Sequence, residues 1–404
     1  MNTKSLLTVF LSLLSLTCYS QKDNFSYKFY GQVRGDLFYN SRANSEIVDG
    51  LFHLYPLNHN YDANGKDLND QSNGSFYLLY TRLGGDINGP SIGKIKTSAK
   101  IETDFRGYGS NFTLLRIRHA YLKLDWTKSS LLIGQTWHPL FGDIYPLMIN
   151  LSTGAPFNGF SRAPQIRYKF NTEKIQLTGA ALWQLQFLSM GPHGKSESYI
   201  KHSCIPELYG SIDFTSDNFT AGIGAQMLSL VPQTQCNVNG EIYKVNERVT
   251  SGAVEAHLKY IVNDWTMSAK TIYGSNLSHI CMLSGIGVTE RDEKTGEQKY
   301  SPFRQTSTWI NIVHGSKWRQ GFFAGYMKNL GARKDIIDQY GVGLEVGQLL
   351  SFNVYGAYVL PHWKFGVEYS PSTAWFSEAD QRGRITHTHT VTNHRFVAST
   401  SFMF

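Results

Sequence analysis

Past its first twenty residues the chain contains no uninterrupted apolar stretch approaching the ~18–20 residues that a transmembrane helix requires. A bundle of membrane-spanning helices is therefore excluded. Proline is scarce, at 12 in 404 residues, so few backbone amides are lost to a hydrogen-bonded ladder. Cysteine is scarcer still: apart from Cys18 there are Cys204, Cys236 and Cys281, an odd number with no metal-type spacing. One disulfide with a spare thiol, or three unpaired thiols, both fit that count. There is no basic or acidic tail. The formal charge is +7, or +6 without Lys4, and it is scattered along the chain, which argues against a nucleic-acid arm and for positive charge lining something.

The first residues read as a secretory leader. Lys4 precedes an apolar run from Leu6 to Leu16, and the small residues Cys18 and Ser20 flank Tyr19, so cleavage is expected before Gln21. Leu16-Thr17 is a poor lead-in for a lipoprotein cysteine at Cys18. The division is thus a signal peptide at 1–20 and one domain at 21–404. Aromatic residues are abundant, with 23 Tyr, 24 Phe and 8 Trp, and they suit both a pleated surface and a membrane interface.

The decisive pattern has period two. Between Lys94 and Arg106 one parity reads Ile95, Thr97, Ala99, Ile101, Thr103, Phe105, and the other reads Lys94, Lys96, Ser98, Lys100, Glu102, Asp104, Arg106. A helix at 3.6 residues per turn would spread those charges over every face, whereas a strand puts them all on one. Phe29, Gly31, Val33, Gly35, Leu37 and Tyr39 alternate in the same way with Tyr30, Gln32, Arg34, Asp36, Phe38 and Asn40. A third example sets Ile175, Leu177, Gly179, Ala181 and Trp183 against Gln176, Thr178, Ala180, Leu182 and Gln184. One segment changes phase: Arg116 and Arg118 share a parity with Leu122 and Leu124, which predicts a bulge near Ala120.

Short turns at 88–93, 127–129, 171–174, 215–218, 262–264, 315–317 and 360–362 alternate with longer connections at 41–75, 107–111, 138–163, 188–206, 231–248, 275–305, 330–349 and 377–393. Seven turns and eight loops join sixteen strands with both ends on the short-turn side. The expected fold is all-β, an antiparallel sixteen-stranded transmembrane barrel with long extracellular loops and short periplasmic turns. It belongs in the outer membrane with both termini periplasmic. Trp126, Tyr168, Phe170, Phe214, Phe219, Tyr260, Trp265, Trp318 and Trp363 flank the short turns, as an interfacial girdle would. The chain closes on Phe396, Phe402 and Phe404, like the last strand that barrel-insertion machinery recognises.

Several stretches carry a resemblance: Phe29-Tyr30-Gly31-Gln32-Val33-Arg34-Gly35-Asp36, Arg116-Ile117-Arg118-His119-Ala120-Tyr121, Gly134-Gln135-Thr136-Trp137, Pro164-Gln165-Ile166-Arg167-Tyr168, and Asn393-His394-Arg395 ahead of the last strand. With them the sequence resembles the sixteen-stranded outer-membrane porins, most closely the DcaP-like porin family in its Bacteroidota-type form. The resemblance implies a homotrimer whose protomers each hold a water-filled pore narrowed by an inward-folded third loop. That loop would be about Pro139 to Ala163, with Phe141, Asp143, Tyr145 and Phe157. The best-known proteins of this type also carry an N-terminal coiled coil, for which no heptad segment is present here.

On that reading the lumen-facing parity supplies Arg34, Arg82, Lys94, Lys96, Lys100, Arg106, Arg116, Arg118, Arg167 and Lys169 against Asp36, Asp86, Glu102 and Asp104. The imbalance predicts passage of small anionic solutes such as dicarboxylates, with Arg34, Arg116, Arg118 and Arg167 at the narrowest point. The alternative role for these arginines is to pair with Asp36, Glu102 and Asp104 and stiffen the wall.

No enzymatic activity and no cofactor are expected. There is no Ser-centred glycine elbow and no His-Ser pair on one strand. His387 and His389 form an exposed loop pair short of a metal site, and His138 reads as a packed residue at a strand end. A plugged transporter needs about 22 strands, more than the chain supplies. A barrel subunit of a larger outer-membrane complex stays open as an alternative, because the loop segment Leu51-Phe52-His53-Leu54-Tyr55-Pro56-Leu57 must either bind a partner or pack into the barrel mouth. The partners foreseen are outer-membrane lipid, small anions and other outer-membrane proteins, not nucleic acid.

Overall fold

The computed structural model describes residues 25–47, 50–107, 111, 113–386 and 388–404, so the signal peptide expected at 1–20 and the expected loop residue His387 lie outside the described residues. Sixteen antiparallel staves form one closed barrel. They are β1 (Ser26–Asn40), β2 (Asn73–Tyr77 continued by Arg82–Ile92), β3 (Ile95–Asp104), β4 (Arg116–Asp125), β5 (Ser129–Trp137), β6 (Arg162–Asn171), β7 (Ile175–Leu182) and β8 (Glu207–Thr215). The second half comprises β9 (Phe219–Leu230), β10 (Val249–Val262), β11 (Trp265–Ser275), β12 (Arg304–His314), β13 (Trp318–Gly331), β14 (Val346–Val359), β15 (Trp363–Phe376) and β16 (His389–Met403). Each stave pairs with the next, and β16 returns to β1 with Gln32 opposite Met403 and Asn40 opposite Arg395. Closure leaves no open edge, which is the condition for a sheet to stand in hydrocarbon.

The terminal residue completes the seam. The Phe404 amide donates to the Gly31 carbonyl and the Gly31 amide to the Phe404 carbonyl, at 3.1 and 2.9 Å. The Phe404 ring lies so close over Gly31 that a Cβ there would stand 2.6 Å from it, so this position accepts no side chain.

The two-residue sorting holds in space. Phe29, Val33, Leu37 and Tyr39 point outward and are exposed, while Asp36, Phe38 and Asn40 are buried inside. Ile101 faces out, and Glu102, Asp104 and Arg106 face in. The aromatic residues beside the short turns all lie on the outer surface, forming the girdle. The phase change in β4 is a bulge two residues before the expected Ala120. Glu102 pairs with His119 and Thr103 with Ile117, so Arg118 is the extra residue, and it turns inward beside His119. Several boundaries differ from expectation. The turn after β2 tightens to two residues because the strand runs to Ile92, and β16 starts at His389, so Asn393-His394-Arg395 lies inside the last strand.

The interior also departs from a uniformly polar lumen. On β12 to β15 the inward positions include Trp309, Phe323, Met327, Leu349 and Phe376, all buried. They pack against the first long loop, whose hairpin Asn44–Ile47 and Phe52–Pro56 turns into the barrel mouth, and against the third. Phe52, Leu54 and Tyr55 are buried there, so the apolar loop-1 segment fills the mouth. Tyr55 donates to Glu345 at 2.8 Å. His53 faces Ser372, and burial, helped by the charge of Arg395, pulls its pKa down to about 3, which keeps the ring neutral. Above the barrel, Gly285–Arg291, Gln298–Pro302 and Asp338–Gly341 make a small sheet of their own.

Candidate functional site

Loop 3 (138–161) leaves β5 and crosses the barrel interior. Its neck is closed by the His138 amide donating to the Ser161 carbonyl at 3.0 Å. Near that neck the Lys270 ammonium on β11, itself buried, donates to the carbonyls of Leu140 and Phe141 at 2.9 and 3.0 Å. Further along, the Leu147 amide meets Asn311 on β12 at 2.9 Å and the Ile149 amide meets Glu368 on β15 at 2.7 Å. The Ile149 carbonyl accepts from Arg34 on β1 at 2.7 Å. On the return, Ser307 donates to the Phe157 carbonyl and Trp309 to Asn158. Bonds to β1, β11, β12 and β15 tie one loop to widely separated parts of the wall.

Aromatic rings hold the same path. Phe141 stacks between Trp137 at 4.1 Å and Tyr145 at 4.9 Å, and Phe160 meets Phe52 edge-on at 4.9 Å. Phe157 sits in a notch on β13 made by Gly325, where a Cβ would lie 2.5 Å from its ring. Asp143 points away from this core toward Lys169 at 2.9 Å. Its pKa lies below the ordinary carboxyl value: the enclosing protein by itself would raise it, and the charge and hydrogen bond of Lys169, with Arg167, more than reverse that.

The other expected residues gather on β1 to β4. Arg34 forks onto Asp36 at 2.7 Å while it holds loop 3. Arg118 bridges Glu102 at 2.6 Å and Asp104 at 2.8 Å, and Arg116 grips Asp104 through two nitrogens at 2.8 and 2.9 Å. Arg82 approaches Glu102 at 3.4 Å, and Tyr30 donates to the same carboxylate at 2.9 Å. Lys100 pairs with Asp86 at 2.8 Å. Arg106 is 1 % exposed, and none of its three guanidinium nitrogens has a hydrogen-bond partner among the described residues. At the centre is Tyr80, from the break inside β2. Its ring centroid lies 4.9 to 5.6 Å from the guanidinium carbons of Arg34, Arg82, Arg106 and Arg118.

Five arginines thus face three carboxylates, Asp36, Glu102 and Asp104. Arg34, Arg116 and Arg118 each hold a carboxylate, and Arg106 and Arg118 are almost fully enclosed. Their charge reaches the lumen as a field more than as a contact surface. Arg82, Lys100 and Lys169 are partly exposed, at 21, 24 and 22 % of their side chains. Arg167 lies apart from the cluster, bonded to Gln165 and the Trp137 carbonyl.

Toward the short-turn end, a polar cavity of about 230 Å³ opens between loop 3 and β6 to β11. Arg167, Lys169, Lys259, Lys270 and His257 line it together with Asp143, Asp213 and Glu255. His257 joins Asp213 at 2.8 Å and Glu255 at 3.3 Å. Sequence reasoning stopped at the early strands and so missed Glu255, His257 and Lys270, although the same parity rule on β10 and β11 turns them inward. Tyr80 and Arg162 gave no signal. The first lies in a strand break, and the second stacks on Trp137 at 3.9 Å where loop 3 rejoins the wall.

Among the described residues one group of potential metal ligands is present: His138, Glu207 and His279, all buried, with atoms within 4.8 Å of one another. His138 Nδ1 accepts from the Leu140 amide at 3.1 Å, which assigns its proton to Nε2, facing Glu207 at 2.7 Å. Both ring nitrogens are thus engaged, and the trio fastens loop 3 to β8 and to the loop after β11. His389 bonds to Asn58 at 2.7 Å and stacks on His59. Among the described residues the three cysteines are free, Cys204 exposed and Cys236 and Cys281 buried.

A closed sixteen-stranded wall, apolar outside and crossed inside by its third loop, defines an outer-membrane β-barrel of the porin type. The model of the DcaP outer membrane protein family matches residues 18–183, a span that includes β1 to β7, and so bears out the family resemblance. No curated protein matches the sequence. Among solved structures, outer-membrane-expressed OmpT of Vibrio cholerae shares the fold with a TM-score of 0.57 at 10 % identity, over 95 % of this chain and 99 % of that one. The trimer form of in-vitro folded OmpT gives 0.54 at 11 %, over 94 % and 99 %. An anion-selective porin from Comamonas acidovorans gives 0.55 at 10 %, over 94 % and 100 %. At such identities the likeness is one of fold.

Proposed function

We propose that this chain is a non-catalytic diffusion pore that passes small hydrophilic solutes, with a preference for anions, through a barrel narrowed by loop 3. One observation carries the reading: loop 3 spans the interior beside a wall on which five arginines face three carboxylates. In a narrow passage bounded by protein, that excess raises the local concentration of anions. Arg82, Lys100, Arg167 and Lys169 are the groups placed to meet a solute, while Arg34, Arg116 and Arg118 set the background potential. Under a KCl gradient across a planar bilayer, the reversal potential should have the sign of anion preference, and Arg82→Gln should move it toward zero. A cation-selective sign would end the selectivity claim while leaving the pore.

The assembly is read as a trimer with both termini in the periplasm. Conductance should then appear in steps of three. Orientation has a ready probe in Cys204, exposed on the long-loop side. A membrane-impermeant maleimide should label intact cells through Cys204 and fail with Cys204→Ser, and absence of labelling would reverse the orientation. One observation favours a second reading, a barrel subunit of a larger outer-membrane complex: loops 1 and 3 fill one side of the interior with a continuous apolar core. A silent bilayer together with a co-purifying protein would select it.

A further inference from the structure

The outer wall is not uniformly covered. On β9 and β10 the outward positions Ala225, Gly252 and Ala256 are small, while Ile223, Val254 and Tyr273 beside them are large and exposed. The contrast leaves a groove. Its lower part is an apolar cavity of about 550 Å³ bounded by Ile223, Val254 and Tyr273. A second cavity of about 530 Å³ shares Ala225, Val254 and Tyr273 with the first, so the two are continuous. This upper part reaches the long-loop rim, where Arg304 and Arg333 line it.

Among the described residues the Arg304 guanidinium hydrogen-bonds to backbone carbonyls alone, those of Leu330, Gly331 and Ala332 at 3.3 to 3.4 Å. Neither it nor Arg333 has an acidic side chain within 4.0 Å among the described residues. Lys328 faces outward on β13, level with Thr306 and one outward position from Arg304, and adds a third cation without an ion pair among the described residues. Uncompensated guanidiniums at the end of a hydrocarbon groove match an amphiphile with an anionic head. An acyl chain lies in oil whether bound or free, so the groove fixes where it lies and the arginines decide which lipid stays. Their forked donors fit the oxygens of a phosphate.

We propose that this groove holds one phosphorylated lipid of the outer leaflet, its phosphate on Arg304 and Arg333 and one chain between β9 and β11. The assignment of leaflet rests on the orientation read above. The test is native mass spectrometry of the full mature protein, delipidated in detergent and then titrated with bis-phosphorylated lipid A, its dephosphorylated form, or inorganic phosphate. Folding of each variant is verified by its heat-modifiable gel shift. The wild type should retain lipid A, and Arg304→Ala with Arg333→Ala should weaken retention about tenfold or more. Gly252→Leu, which fills the groove and leaves the charges in place, should weaken it as well. Dephosphorylated lipid A should bind poorly, and millimolar phosphate should not displace the lipid. Equal retention by the double variant would overturn the site, and full displacement by phosphate would reduce it to a small-anion site. Failure of Cys204 labelling alongside Arg304-dependent retention would overturn the leaflet alone.

Discussion

Asp104→Ala is expected to destabilise the barrel by about 3–5 kcal/mol, the cost of leaving buried charges without their partner. Asp104 is 0 % exposed and takes three hydrogen bonds from two guanidiniums, two from Arg116 and one from Arg118. Removing it leaves Arg118 with Glu102 alone and Arg116 with no carboxylate, in a cluster where the Arg106 guanidinium already lacks a hydrogen-bond partner among the described residues. Water cannot reach the freed charge of Arg118, so the loss is close to the full desolvation cost and not the small sum of an exposed pair. The contrast is Asp86→Ala, whose partner Lys100 and own carboxylate are both partly exposed. That change should cost no more than about 1 kcal/mol. Guanidinium unfolding in detergent micelles, followed by tryptophan fluorescence, separates the two, and equal midpoints would show that the arginine cluster does not support the wall.

Gly325→Val should produce the largest functional effect. The new side chain would begin 2.5 Å from the Phe157 ring, a distance that real contacts do not tolerate, and the glycine is set in a wall whose backbone is fixed by pairing on both sides. Loop 3 must yield. Single-channel conductance is expected to rise about twofold or more as the loop leaves the passage, at a packing cost of about 1–3 kcal/mol. Adding Phe157→Ala removes the clash, so the double variant should gain nothing further over Phe157→Ala alone. A conductance identical to wild type in Gly325→Val would mean that the loop segment around Phe157 does not bound the conducting path.

The same contrast between wall and filling explains what could be read from the residues in order. The alternation Ile95 to Phe105 against Lys94 to Arg106 placed those side chains on the correct faces, because a strand's pleat is local and lipid and water sort its two faces. The phase change in β4 was equally visible, and the bulge falls at Arg118. The arginines on β1 to β4 could be named, yet whether each meets solute or a carboxylate depended on neighbours such as Asp36 for Arg34 and Asp104 for Arg116. Tyr80 was hidden because it lies in a break where alternation lapses. Trp309, Phe323 and Met327 broke the expectation of a polar interior, since the loops that cover them come from elsewhere in the chain.

Sequence alone determined the number of strands, their facing and the approximate position of the short turns, because these depend on hydrogen-bond geometry between neighbours and on the difference between oil and water. Only the tertiary structure decided how the interior is filled. Glu207 meets His138 and His279, Ile149 meets Glu368, and Phe157 finds Gly325 across tens to hundreds of residues. Such pairings exist only once the sheet has closed and brought opposite walls within reach of one loop, and no local pattern records them.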